Sequence, residues 1–340
     1  MKIIILLGCI ATMIACTPTK QSTIDTTLQT KVDSILQNKM SEIGAISGQA
    51  IVMEVQTGEI KAMVGNSRSQ ESGLIRTASL LAALETGKVK LSDTVDVGEG
   101  VYNVHDKELL DHNWHRGGYG KLTTLQGLMV NSHIANYKNI ERAFTEEQAY
   151  FDMLNKMRYG QPESIVGLYE LKPAYFLTPN DSGWSNTALA WFSIGYNQRI
   201  SPIQMLTFYN AIANDGKMVK PTLYKGELEV INPQIASKAN IDSLQMALIK
   251  VINEGLGKPA QSEKVQVAGA SGGCQLSTEE DDSEGRVNTI YSVEYCGYFP
   301  ADAPKYSIIV SMNKIGLPAS GGLMAGSVFK DIVESMNLNH

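Results

Sequence analysis

Residues 71–87, ESGLIRTASLLAALETG, carry apolar side chains on every side of a helical wheel: Leu74, Ile75, Ala78, Leu80, Leu81, Ala82, Ala83 and Leu84 leave no polar face. A helix with that pattern is expected at the centre of a core. Ser72 stands where an N-cap residue would stand and Gly87 where a helix C-terminus favours glycine. Arg76, the one cation of the stretch, falls in the first turn, where the helix dipole disfavours positive charge and an anion or water is needed nearby.

Before this helix, residues 48–55 and 59–64 alternate as two strands about a turn at Thr57-Gly58. Residues 16–45 are polar, and Val32, Ile35 and Leu36 predict a short amphipathic helix after a tether. Residues 91–119 read as irregular. Residues 122–144 follow a helical period with Thr123 or Thr124 as cap, and a short helix is expected near 149–157. Residues 186–196 are apolar and end at Gly195, and Ser201-Pro202 opens a helix that reaches about Asn214. Residues 241–254 form another amphipathic helix closed by Gly255.

The last third predicts strands over 264–270, 288–299 and 306–313, an acidic hairpin loop over 279–286 and a final helix over 322–337. The expected architecture is one α/β unit: a five-stranded antiparallel sheet flanked by helices, with an all-helical insertion. No composition shift divides residues 46–338.

Charge and cysteines refine this picture. The 340-residue chain has a formal net charge of -6. Without a basic stretch, nucleic acid is excluded as a partner. Residues 1–15 read as a signal segment, with Lys2, an apolar run too short to span a bilayer, then small residues. Met13-Ile14-Ala15-Cys16 resembles the lipobox of bacterial lipoproteins, which implies export and a lipid anchor at Cys16. Cys274 and Cys296 then remain, either joined as a disulfide or as two buried thiols. His105-Asp106 and Asp111-His112-Asn113-Trp114-His115 could in principle hold a metal, but no ligand frame such as H-E-x-x-H appears, and neither a metal nor any other cofactor is expected.

Several segments in order resemble the transpeptidase domain of penicillin-binding proteins: AIVMEVQTGEIKAMVG at 50–65, LLAALETGK at 80–88, the Trp and Tyr-Gly-Lys-Leu-Thr within 111–125, SIGYNQRISPIQMLTFYNAIANDGK at 193–217, GYFPADAPK at 297–305 and GGLMAGSVFKDI at 321–332. The resemblance covers about residues 46–337 and implies a β-lactamase-like fold. That family acylates a serine in S-x-x-K and supports it with S-x-N and K-T/S-G.

All three motifs depart here. Aligning residues 80–85 places Gly73 at the nucleophile and Arg76 at the lysine; glycine has no nucleophile and arginine stays protonated. S-x-N becomes Ser132-His133-Ile134, and K-T-G becomes Ala270-Ser271-Gly272. Ser311–Lys314 and Ser327–Lys330 have S-x-x-K spacing, but at a strand end and on the last helix.

The resemblance therefore implies a catalytically silent, lipid-anchored envelope domain that binds a peptidoglycan stem peptide or cell-wall and division proteins, with Arg76, Ser132, His133 and Ser271 as ligand contacts. One alternative is an active D,D-transpeptidase or carboxypeptidase with Ser72 as a displaced nucleophile. Another is a scaffold that recruits cell-wall enzymes and leaves its groove empty.

Overall fold

A computed structural model describes residues 20–167, 171–281 and 286–336. The signal segment, Cys16 and the tip of the acidic hairpin lie outside the described residues.

Six strands form the main sheet: β1 (Ala45–Glu54), β2 (Ile60–Asn66), β3 (Ala268–Gly272), β4 (Gln275–Asp281), β5 (Arg286–Phe299) and β6 (Tyr306–Ile315). Their order is β3-β5-β6-β1-β2, antiparallel throughout. The sixth strand, β4, was not expected. It extends the hairpin because ladder bonds need backbone groups rather than apolar side chains, so Glu279, Glu280 and Asp281 pair with β5 rather than belonging to the loop. β3 and β4 share one side of β5, interrupted at Gly273 and Cys274.

The sheet is buried on both faces. In β1, Ile51 and Met53 join one core while Ala50 and Val52 join the other. The second core is closed by α1 (Thr26–Ile43) and α9 (Gly326–Ser335). The first helix is longer than expected, 18 residues, because Asp25 caps it through Thr27 and Leu28 amides and Gly44 ends it at φ 64°. Leu28, Val32 and Leu36, at helical spacing, lock it to the sheet.

On the opposite face lies α2 (Ile75–Glu85), almost wholly buried, against the insertion. That insertion contains α3 (Thr124–Met129), α4 (His133–Ala143), α5 (Glu147–Lys156), α6 (Ala188–Ile194), α7 (Pro202–Ala213) and α8 (Lys238–Asn253). Ser201 and Gln204 form the capping box of α7. The continuous helix expected over 122–144 is two helices. Asn131, at φ 60°, turns the chain between them, and Ser132 caps the second; asparagine tolerates that left-handed conformation better than most residues. The segment expected as irregular carries a hairpin, Val101–Val104 with Lys107–Leu110, and a strand pair, Thr94–Gly98 with Gly120–Thr123.

The cysteine alternative resolves as two free thiols. Cys296 lies opposite Ala270, whereas the carbonyl of Cys274 accepts from the amide of Ser292 at 2.8 Å. The four-residue offset along the ladder separates them by about 13 Å, beyond the reach of a disulfide. Among the described residues, no helix is long and apolar enough to cross a membrane.

Candidate functional site

The strap from Gln70 to Leu74 that leads into α2 is pinned on both sides. The Ser72 amide donates to the Gly195 carbonyl at 3.1 Å, and Gln198 Nε2 donates to the Ser72 carbonyl at 3.1 Å. From the other side the β3–β4 break presses on Gly73. A β-carbon added to Gly73 would stand 2.9 Å from the amide nitrogen and from the carbonyl oxygen of Gly273, and 3.0 Å from Arg76 Nη1. Contacts with backbone at that distance force movement, so the position lacks the space for a side chain as well as the side chain.

Ser72 does not cap α2. The helix starts at Ile75 with no side-chain cap. The Ser72 hydroxyl is buried and donates to Oε2 of Glu294 at 2.6 Å. Gln70 Nε2 and Ser311 Oγ donate to Oε1 of the same carboxylate at 3.4 and 3.3 Å. Burial pushes the Glu294 pKa up, and the hydrogen bond from Ser72 leads the opposing effects. As a displaced nucleophile Ser72 is thus badly placed: its hydroxyl faces an interior carboxylate.

Arg76, 4% exposed, points the other way, to the base of a groove. Its Nε donates to Asn131 Oδ1 at 2.9 Å and its Nη1 to the Ile194 carbonyl at 3.2 Å. It forms no ion pair with a described carboxylate. Burial pulls the Arg76 pKa down, yet a guanidinium remains charged.

Ser132 is spent on structure. Its hydroxyl accepts from the Ala135 amide at 3.0 Å and donates to Asp111 Oδ2 at 2.7 Å. Asp111 is fully buried and also accepts from the Ile134 amide at 3.1 Å. Ser132 thus caps α4 while lining a small pocket beside Arg76 and Asn131, and Ile134 is core. His133 Nδ1 meets the Leu110 carbonyl at 2.9 Å; burial, with the Arg76 charge second, holds its pKa down at about 3, so the ring is neutral. His112 hydrogen-bonds to the Tyr119 hydroxyl at 2.8 Å. The histidine and aspartate side chains of 105–115 do not converge, and no group able to hold a metal occurs among the described residues.

Arg76, Asn131, His133 and Ser271 border one groove of about 830 Å³ whose other wall runs through Ser320–Leu323. Ala270, at the motif's lysine position, is buried opposite Cys296 and leaves that wall without a cation. Asn131 and Glu294 escaped the sequence reading, although a lone acid in the apolar run SVEYCGYF was a usable signal for the second.

Comparison with known proteins fits this geometry. The family described as the penicillin-binding protein transpeptidase domain matches residues 48–334. The chain belongs to that family.

The probable peptidoglycan D,D-transpeptidase PbpC of Pseudomonas aeruginosa is 25% identical over 341 residues, covering 91% of this chain and 57% of that protein. Penicillin-binding protein PbpB of Mycolicibacterium smegmatis is 25% identical over 363 residues, covering 95% and 55%. This penicillin-binding protein relative thus spans little more than half the length of either. The transpeptidase domain of Burkholderia pseudomallei penicillin-binding protein 3 superposes with a TM-score of 0.78 at 22% identity, over 92% of this chain and 94% of that one. The shared fold is the mixed α/β sheet with its helical insertion.

Proposed function

We propose that this penicillin-binding protein relative is a catalytically silent domain of the bacterial cell envelope, exported and held to a membrane by a lipid on Cys16. Its groove serves as a binding site for a carboxylate-bearing chain of the cell wall or its machinery. One observation carries the reading: the β-carbon position of Gly73, the residue that the motif alignment sets at the nucleophile, is filled by the Gly273 backbone and Arg76 Nη1. Loss of a nucleophile costs acyl transfer many orders of magnitude, and Arg76 cannot act as the missing general base. It can do what a lysine at an acylation site does not, which is hold a carboxylate through charge-assisted hydrogen bonds without removing a proton. His133, neutral, and Ser271 border the same space.

The test is incubation of the purified chain with a fluorescent penicillin, followed by denaturing electrophoresis. The expected result is no covalent band. A band lost in Ser72→Ala would establish the alternative enzyme instead, and a band retained in that variant would point to another nucleophile; either overturns the silent domain.

A further inference from the structure

The chain is acidic overall, yet its groove is not. Arg76 lies at the base and Lys258 at the rim, and among the described residues no aspartate or glutamate borders the space. Neither cation has an ion-pair partner among the described residues. Arg76 Nη2 makes no hydrogen bond to a described residue, while Nε and Nη1 are held by Asn131 and Ile194. This is a buried, oriented cation with donors left for an anion.

The walls add a second requirement. Leu256, Leu317 and Leu323 border the same groove and are 44%, 72% and 66% exposed. Three large apolar side chains left in water around one charged base call for apolar cover. A D-alanyl terminus brings only methyl side chains, too little to cover them. β3 runs along the same groove, and there the Ser271 carbonyl already accepts from Asn131 Nδ2 at 3.5 Å, so the helical insertion bridges the strand edge.

We infer that the groove binds the C-terminus of another protein, its terminal carboxylate on Arg76 and its large apolar side chains on Leu256, Leu317 and Leu323. Deepening the proposed function, this assignment rests on the groove being a binding site rather than an acylation site. Stem peptide is the competing occupant, and the experiment separates them.

The probes are three fluorescein-labelled peptides: one ending Leu-Val-Leu with a free carboxylate, the same peptide as its C-terminal amide, and one ending D-Ala-D-Ala. Each is titrated by fluorescence anisotropy against the full-length chain in detergent. The free acid is expected to bind about tenfold or more tighter than the amide, the size of effect that one hydrogen bond to a charged group gives. It is also expected to bind more tightly than the D-alanyl peptide.

Leu317→Ser with Leu323→Ser alters two exposed positions, so folding is preserved. It should weaken the apolar acid about tenfold or more and leave the D-alanyl peptide unchanged. Arg76→Gln should bring acid and amide to equal affinity. Equal binding of acid and amide by the parent chain, or an apolar acid indifferent to the leucine substitutions, overturns the assignment, as does tighter binding of the D-alanyl peptide. Fluorescent-penicillin labelling, run beside the titration, reports separately on the silent-domain reading, so the two can fail independently.

Discussion

Ser72 and Glu294 are joined by a 2.6 Å hydrogen bond that ties the entrance of α2 to the middle of β5. The bond points the one serine beside the alignment's nucleophile position into the protein, away from the groove. Ser72→Ala removes the shortest hydrogen bond to a buried carboxylate. It should lower the unfolding free energy by about 1–3 kcal/mol, read by urea titration followed by circular dichroism. Unchanged stability would show that the bond is incidental.

Glu294 gives this network a pH dependence. Its folded-state pKa is raised, chiefly by burial. A raised acid favours the protonated native state, so its contribution is full below the unfolded value of 4.5 and is lost as pH climbs through the folded value. Relative to Glu294→Gln, the parent chain should lose stability with rising pH above about 4.5. Parallel pH curves for the two proteins would refute this.

His133 works in the opposite sense. Its pKa falls from 6.5 to about 3, from burial first and the Arg76 charge second. A depressed base stabilises the fold fully above 6.5 and loses that contribution as pH falls towards 3. Compared with His133→Gln, the parent chain should weaken by up to about 1.4 kcal/mol for each pH unit in that window. His112, on the facing segment, also lowers the His133 pKa, so the comparison is best repeated in His112→Gln.

Restoring the serine should not restore the enzyme. Gly73→Ser puts a β-carbon 2.9 Å from Gly273 backbone atoms. The expected cost is about 1–3 kcal/mol from overpacking, with no covalent penicillin adduct. A stable, labelled Gly73→Ser protein would mean that the strap opens readily.

Ser132 caps α4 and shields Asp111. Ser132→Ala should cost about 1–3 kcal/mol, the sum of a lost cap and a buried carboxylate short of one donor, while leaving groove affinity for a carboxylate peptide intact. A marked affinity loss without destabilisation would make Ser132 a ligand contact.

The sequence determined the elements whose cause is local. The all-round apolar stretch could only be the buried helix α2. Ser201-Pro202-Ile203-Gln204 specified its own helix start, and the 48–64 alternation its hairpin. It also determined that Gly73 carries no nucleophile, because side-chain chemistry is a property of the residue alone. Tertiary structure decided where the remaining polar groups are spent. Ser72 looked like a cap and serves Glu294, which lies 222 positions away. The Ser132 hydroxyl, a candidate ligand contact, donates to Asp111. Cys274 and Cys296 looked pairable and are offset along the ladder. Each outcome turns on sheet register and on how closely glycine backbones approach, distances set by packing between segments far apart in the chain, which no local pattern encodes.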